Sequence, residues 1–141
     1  MILDADLQFS NAQSVTATAV STNVLDLSAI RNIGVGQPIY VVLNLAAAMV
    51  GAGAIITVTS ETDDNEAFSS ATVSATLGVF AAVSPAGTKL VAAVDPDAAN
   101  ERFYRLRYTV SGGTLTSSQV DAYLSLAYES TQSYADAVTI S

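Results

Sequence analysis

"RFYRLRYTV", residues 102–110, reads with a period of two. Tyr104, Leu106, Tyr108 and Val110 fall on one side, with Phe103, Arg105, Arg107 and Thr109 on the other. Side chains of a strand point alternately to opposite faces, so this pattern predicts a half-buried β-strand with the tyrosine stripe inward. Arg105 and Arg107 then stand on the outer face, roughly 6.5–7 Å apart. Two guanidiniums at that spacing repel unless carboxylates or a partner surface neutralise them. Three of the five cationic residues of the chain, Arg102, Arg105 and Arg107, lie in this stretch.

The same period extends outward in both directions. After the "SGG" turn (111–113), "TLTSSQVDAYLSLAYES" sets Val120, Ala122, Leu124 and Leu126 against Asp121, Tyr123, Ser125 and Ala127. Upstream, "QPIYVVLNLAA" is apolar on both faces, the mark of a central strand covered on both sides. "QSVTATAV" (13–20) alternates as a half-buried strand, and "NVLDLSAI" is short and β-prone. "AIITVTSET" follows a break at "GAG" (51–53), and the Ala-rich run before it reads as a loop because of Gly51 and Gly53. "SSATVSATLGVFAAVS" offers one or two strands split near Gly78, and "KLVAAV" one more. "DDNEAF", "PAGT" and "DPDAAN" supply the turns. About eight strands with Gly/Pro/Asn/Asp punctuation predict an all-β, antiparallel sandwich of jelly-roll type. No linker divides the 141 residues, so one domain is expected over 1–141. Residues 1–13, weakly periodic, are expected to form an extended amino-terminal arm.

Composition limits the chemistry. Net charge is −8, with five cations against thirteen carboxylates. Nucleic-acid binding, which needs Lys and Arg to replace counterions on phosphate, is not expected, nor is binding to anionic membrane surfaces. The longest apolar run, "LAAAMVGAGAII", is too short and glycine-rich for a spanning helix. "MILDADLQF" carries two Asp where a secretory signal would carry Lys or Arg, so synthesis in a cytoplasm is expected. There is no Cys and no His, hence no thiolate, no usual general base and no usual metal ligand. No catalytic, cofactor-binding or metal-binding residue is expected, and no enzyme activity. The clusters Asp95–Asp97–Glu101 and "ETDDNE" (61–66) lack the ligand spacing and central Gly of a calcium loop, and read as solvated loops.

Two readings of the arginine strand stay open. One is cross-strand pairing with carboxylates such as Asp121, Glu129, Asp95, Asp97 or Glu101. The other is a protein-contact patch, since Arg and Tyr are enriched among interface anchors. Its candidate residues are Arg102, Arg105, Arg107 and Tyr104, with Leu3, Leu7 and Phe9 of the arm. A phosphate site is disfavoured, because "GVGQP" leads into a strand rather than a helix N-terminus.

"LQFSNAQSVTATAVSTNVLDL" (7–27), "NIGVGQPIYVVLNL" (32–45) and "NERFYRLRYTVSGG" (100–113) resemble, in order, the capsid cement or decoration proteins of tailed bacteriophages, of the type found in a short-tailed Bordetella phage. The resemblance implies a jelly-roll-like fold on the outside of an icosahedral head. It implies clamping of neighbouring major capsid protein subunits and self-association, a dimer before a trimer. It carries no catalytic or cofactor residues. A non-catalytic binding module of tail-fibre or carbohydrate-binding type is the alternative, weakened by the absence of Trp.

Overall fold

The structure, a computed structural model, describes residues 7–27, 39–94 and 101–125. They form nine strands: β1 (Gln8–Ser14), β2 (Ala19–Val20), β3 (Leu25–Asp26), β4 (Tyr40–Gly51), β5 (Ile55–Asp63), β6 (Thr72–Phe80), β7 (Lys89–Ala93), β8 (Phe103–Ser111) and β9 (Leu115–Ser125). Sheet A has the order β1-β9-β4-β7, and sheet B the order β2-β8-β5-β6, with β3 also on β8. Every pairing is antiparallel.

The topology follows from one long hairpin rolled up. β5 pairs β6, β4 pairs β7, β2 and β3 pair β8, and β1 pairs β9, each pair nested outside the last. Rolling adds two further seams, β4 with β9 and β5 with β8. With β2 and β3 taken as one interrupted strand, this is the eight-strand jelly roll expected from the sequence.

The alternating residues fill the space between the sheets. Val41, Leu43, Leu45, Val120, Ala122 and Leu124 of sheet A meet Ile56, Val58, Phe80, Tyr104, Leu106 and Tyr108 of sheet B, and all are buried. Two contacts tie the layers across the core. Phe9 and Tyr104 stack obliquely at 5.7 Å between ring centroids. Ser10 Oγ and the Tyr108 hydroxyl share a hydrogen bond of 2.7 Å. A buried hydroxyl without a partner is costly, so this bond stabilises an otherwise apolar layer. Burial pushes the Tyr108 pKa up to about 12, against the opposing effect of that bond.

Four expectations change. "QSVTATAV" is not one strand: Thr16–Thr18 lie between β1 and β2, where the chain passes from sheet A to sheet B. Hydroxyl groups tie this crossing to β9 and β8. Ser118 Oγ donates to Val15 O at 2.5 Å, and Thr18 Oγ1 accepts from Val110 N at 3.1 Å. The Ala-rich run is strand, since β4 continues to Gly51 with irregular register against β9. Gly78 does not split β6; it faces Leu90, whose Cδ1 would lie 3.1 Å from an added Cβ. The described part of the expected arm is β1 itself, paired with β9. Residues 1–6 lie outside the described residues.

The glycine turns "GAG" and "SGG" pack backbone to backbone. A Cβ on Gly112 (φ 80) would stand 2.7 Å from Gly53 O, and one on Gly113 would run into Ala52 O. Gly113→Ala is therefore expected to lower stability by about 2 kcal/mol or more, read by urea unfolding.

Candidate functional site

The arginine strand β8 lies between β2 with β3 on one side and β5 on the other. Its outer face carries Arg105 and Arg107, and the register with β5 sets Glu61 opposite Arg105 and Thr59 opposite Arg107. Glu61 serves both: Oε2 accepts from Arg105 Nε at 2.7 Å, and Oε1 from Arg107 Nε at 2.5 Å. Burial pushes the Glu61 pKa up, but the hydrogen bonds from Arg107 and Arg105 outweigh it and hold the carboxyl below its usual range. Two guanidiniums share one carboxylate, so the group keeps a surplus of one positive charge.

Arg105 is held from a second side. Its guanidinium lies over the Phe68 ring, 4.0 Å from the centroid, a favourable cation–π geometry. Phe68 sits at φ 50, a strained backbone for a bulky residue. The loop before it is fastened by Asp63, a buried carboxylate that accepts from the backbone N–H groups of Asn65 (3.0 Å) and Ser70 (2.8 Å). Burial raises the Asp63 pKa, and these bonds more than reverse the effect. Asp64 is shifted upward by its hydrogen bond to Asp63 and by that neighbour's charge.

Toward β6 the outer face of sheet B is uncharged, while at the start of β8 Asp26 and Asp63 stand in register with Phe103 on this same face. Thr57 stands between Thr109 and Val79, Thr59 between Arg107 and Thr76, and Glu61 between Arg105 and Val73. Val73 and Val79 on the edge strand β6 are 57% and 45% exposed. Register shifts between Val58 and Thr59 and between Ser60 and Glu61 bring Val73, Thr76 and Val79 to this one face.

Cross-strand pairing is what the arginines do, but not with the carboxylates expected. Arg102 forms a two-pronged pair with Asp26 of β3, at 2.8 and 2.9 Å, and its guanidinium also lies 4.9 Å from the Phe103 centroid. Asp121 instead accepts from Ala12 N at 2.6 Å. Asp95, Asp97 and Glu129 lie outside the described residues. Glu101 meets Asp63 and Asp64, the three offering ligand atoms within 4.8 Å of one another. Hydrogen bonds account for that cluster: Glu101 accepts from Thr62 Oγ1 at 2.9 Å, and Asp63 from Asn65 and Ser70.

The candidate contact residues divide. Phe9 and Tyr104 are corrections: at 2% and 1% exposure they belong to the core, and an enclosed ring cannot touch a partner while the sandwich is intact. Arg105 is mostly enclosed, with a side chain 13% exposed, and holds the β5–β6 loop. Arg107, with a side chain 37% exposed, and Arg102, with one 44% exposed, remain at the surface. Leu7 is exposed at the start of β1, and Leu3 lies outside the described residues. Glu61 overturns an expectation: "ETDDNE" reads as a solvated loop, yet Glu61, Thr62 and Asp63 close β5 and are buried. "AIITVTSET" puts Glu61 in line with Thr57 and Thr59, but nothing local says which strand lies beside it.

Residues 9–124 match the model of the Bbp16 family. The chain belongs to the Bbp16 family. That is a Bordetella phage protein family, so the resemblance drawn from the three quoted segments holds at the level of a phage protein. The match takes in all nine strands of this Bbp16 member except the first residue of β1 and the last of β9. No curated protein matches the chain.

Proposed function

We propose that this phage protein is a capsid cement subunit, sitting on the outer surface of the head and clamping neighbouring major capsid protein subunits. The observation that carries the reading is the outer face of sheet B. In a chain of net charge −8 it combines a locally positive group, Arg105 and Arg107 on one Glu61, with uncharged Thr and Val side chains running from there to the edge strand β6. Such a face suits an acidic protein surface: the Thr/Val field loses little on desolvation, and Arg107 supplies the complementary charge. A shell repeats each contact by symmetry, so modest contacts add up. Self-association, as a dimer before a trimer, belongs to the same reading, with the uncharged edge strand β6 the part of the face suited to it.

Co-sedimentation with undecorated phage heads tests this. Arg107→Glu and Val79→Asp are each expected to weaken attachment about tenfold or more, by reversing the charge and by placing a charge in the apolar field. Attachment of both variants at parental strength would remove sheet B as the contact face. Light scattering on the free protein measures self-association separately.

A further inference from the structure

The opposite face of the molecule holds a different feature. On the outer side of sheet A lies a cavity of about 270 Å³, lined by Gln8, Asn11, Asn44, Lys89, Asp121 and Tyr123. All four strands of the sheet contribute. Lys89, Asn44 and Asp121 form one row across β7, β4 and β9, since Asn44 is in register with both neighbours. Gln8 and Tyr123 form an adjacent pair across β1 and β9.

The bulge in β1 completes this wall. Register shifts between Gln8 and Ser10 and between Ser10 and Gln13, and Ala12 stands at φ 46. An alanine rarely adopts that conformation, and it is over-determined here. Asp121 Oδ1 accepts from Ala12 N at 2.6 Å, while Gln13 Oε1 accepts from Ser10 Oγ at 2.6 Å and from Thr22 N at 2.9 Å. Bulges re-aim side chains, and this one brings Asn11 to the cavity instead of continuing the alternation.

The chemistry of the lining selects the ligand class. Three primary amides offer donors and acceptors together, Asp121 offers acceptors, and Lys89 offers donors. The one positive and one negative side chain cancel. An anion would face Asp121, and a cation would face Lys89. A metal ion would find a single carboxylate among amides. A neutral molecule dense in groups that both donate and accept suits every member of the set, and hydroxyls are such groups. The volume lies just below the roughly 300–1,000 Å³ of drug-sized sites, which fits one sugar ring. Tyr123, almost fully buried, forms part of the wall. We propose that the outer face of sheet A is a binding site for a neutral saccharide, held by Asn44, Asn11, Gln8 and Asp121 with Lys89 at the row's end. This site is independent of the attachment face on sheet B.

The test is a nitrogen–proton correlation NMR titration of the intact protein with glucose, galactose, mannose and N-acetylglucosamine, using sodium sulfate and tetramethylammonium chloride as charged probes. At least one saccharide is expected to move the backbone amides of Asn44, Lys89 and Asp121 with millimolar affinity, ahead of both charged probes. Asn44→Ala and Lys89→Ala are each expected to weaken that binding about tenfold while the rest of the spectrum stays as in the parent. Lys89 is exposed on an edge strand, so its variant keeps the fold if the Asn44 variant does not. No shift at these amides with any of the four sugars, equal affinity in the folded variants, or a stronger response to sulfate or tetramethylammonium overturns the proposal.

Discussion

The two outer faces of the sandwich use similar side chains to opposite ends. On sheet B the opposite charges touch: Arg105 and Arg107 close on Glu61, and Phe68 seals the group from the side. On sheet A the register sets Asn44 between Lys89 and Asp121, so their backbones stand two strand spacings apart, about 10 Å. Charges in contact lock a loop. Charged residues placed two strands apart with an amide between them line a polar hollow. The difference is decided by register alone, because a one-residue slip of either seam would turn the side chains to the other face.

The largest effect that can break this contrast is expected at Glu61. Glu61→Ala leaves Arg105 and Arg107 side by side in a partly buried site, and a loss of about 2–4 kcal/mol is expected in urea unfolding. A loss under about 0.5 kcal/mol would show that the group on sheet B is no lock. Acid sharpens the same point. Glu61 and Asp63 titrate in the folded protein below their unfolded values, so their stabilisation is complete above the unfolded pKa values, about 4. It is lost as pH falls through the folded values. Stability should therefore drop on acidification below about pH 4, and Glu61→Gln should show a shallower drop than the parent. Parallel profiles would place the acid sensitivity elsewhere.

A smaller effect is expected on sheet A. Asp121→Ala removes the acceptor of Ala12 N and should cost about 1 kcal/mol, with faster hydrogen exchange confined to β1. A loss as large as that of Glu61→Ala would erase the distinction between the two faces.

Much of the fold was legible. The tyrosine stripe of "RFYRLRYTV" faces the core as its period requires, and Val120, Ala122 and Leu124 do the same on β9. The doubly apolar "YVVLNL" is central in sheet A, between β9 and β7, but only its Val41–Leu43–Leu45 side packs on sheet B rather than both sides as expected. Burial forces such patterns, so they can be read without knowing the neighbours. "QSVTATAV" failed for the complementary reason: alternation licenses a strand only where another strand can receive its hydrogen bonds, and at Thr16–Thr18 the chain is changing sheets. The site was less legible than the fold. Arg105 and Arg107 stood out as outward neighbours, but Glu61 is 44 and 46 residues away along the chain, and Asp26 lies 76 residues before Arg102. The bulge at Ala12 carries no glycine or asparagine at the strained position to announce it.

The amino-acid sequence by itself determined that this chain folds as a sandwich of strands, which side of each strand lies inward, and that neither Cys nor His is on hand for chemistry. These follow from the period of the side chains and from composition, which are local properties. Tertiary structure alone decided which carboxylate meets which arginine, that the two glycine turns touch, and that four strands open a polar hollow on one face. Such outcomes depend on which strands become neighbours and in what register, and that is set by the rolling of the whole hairpin rather than by any segment of it.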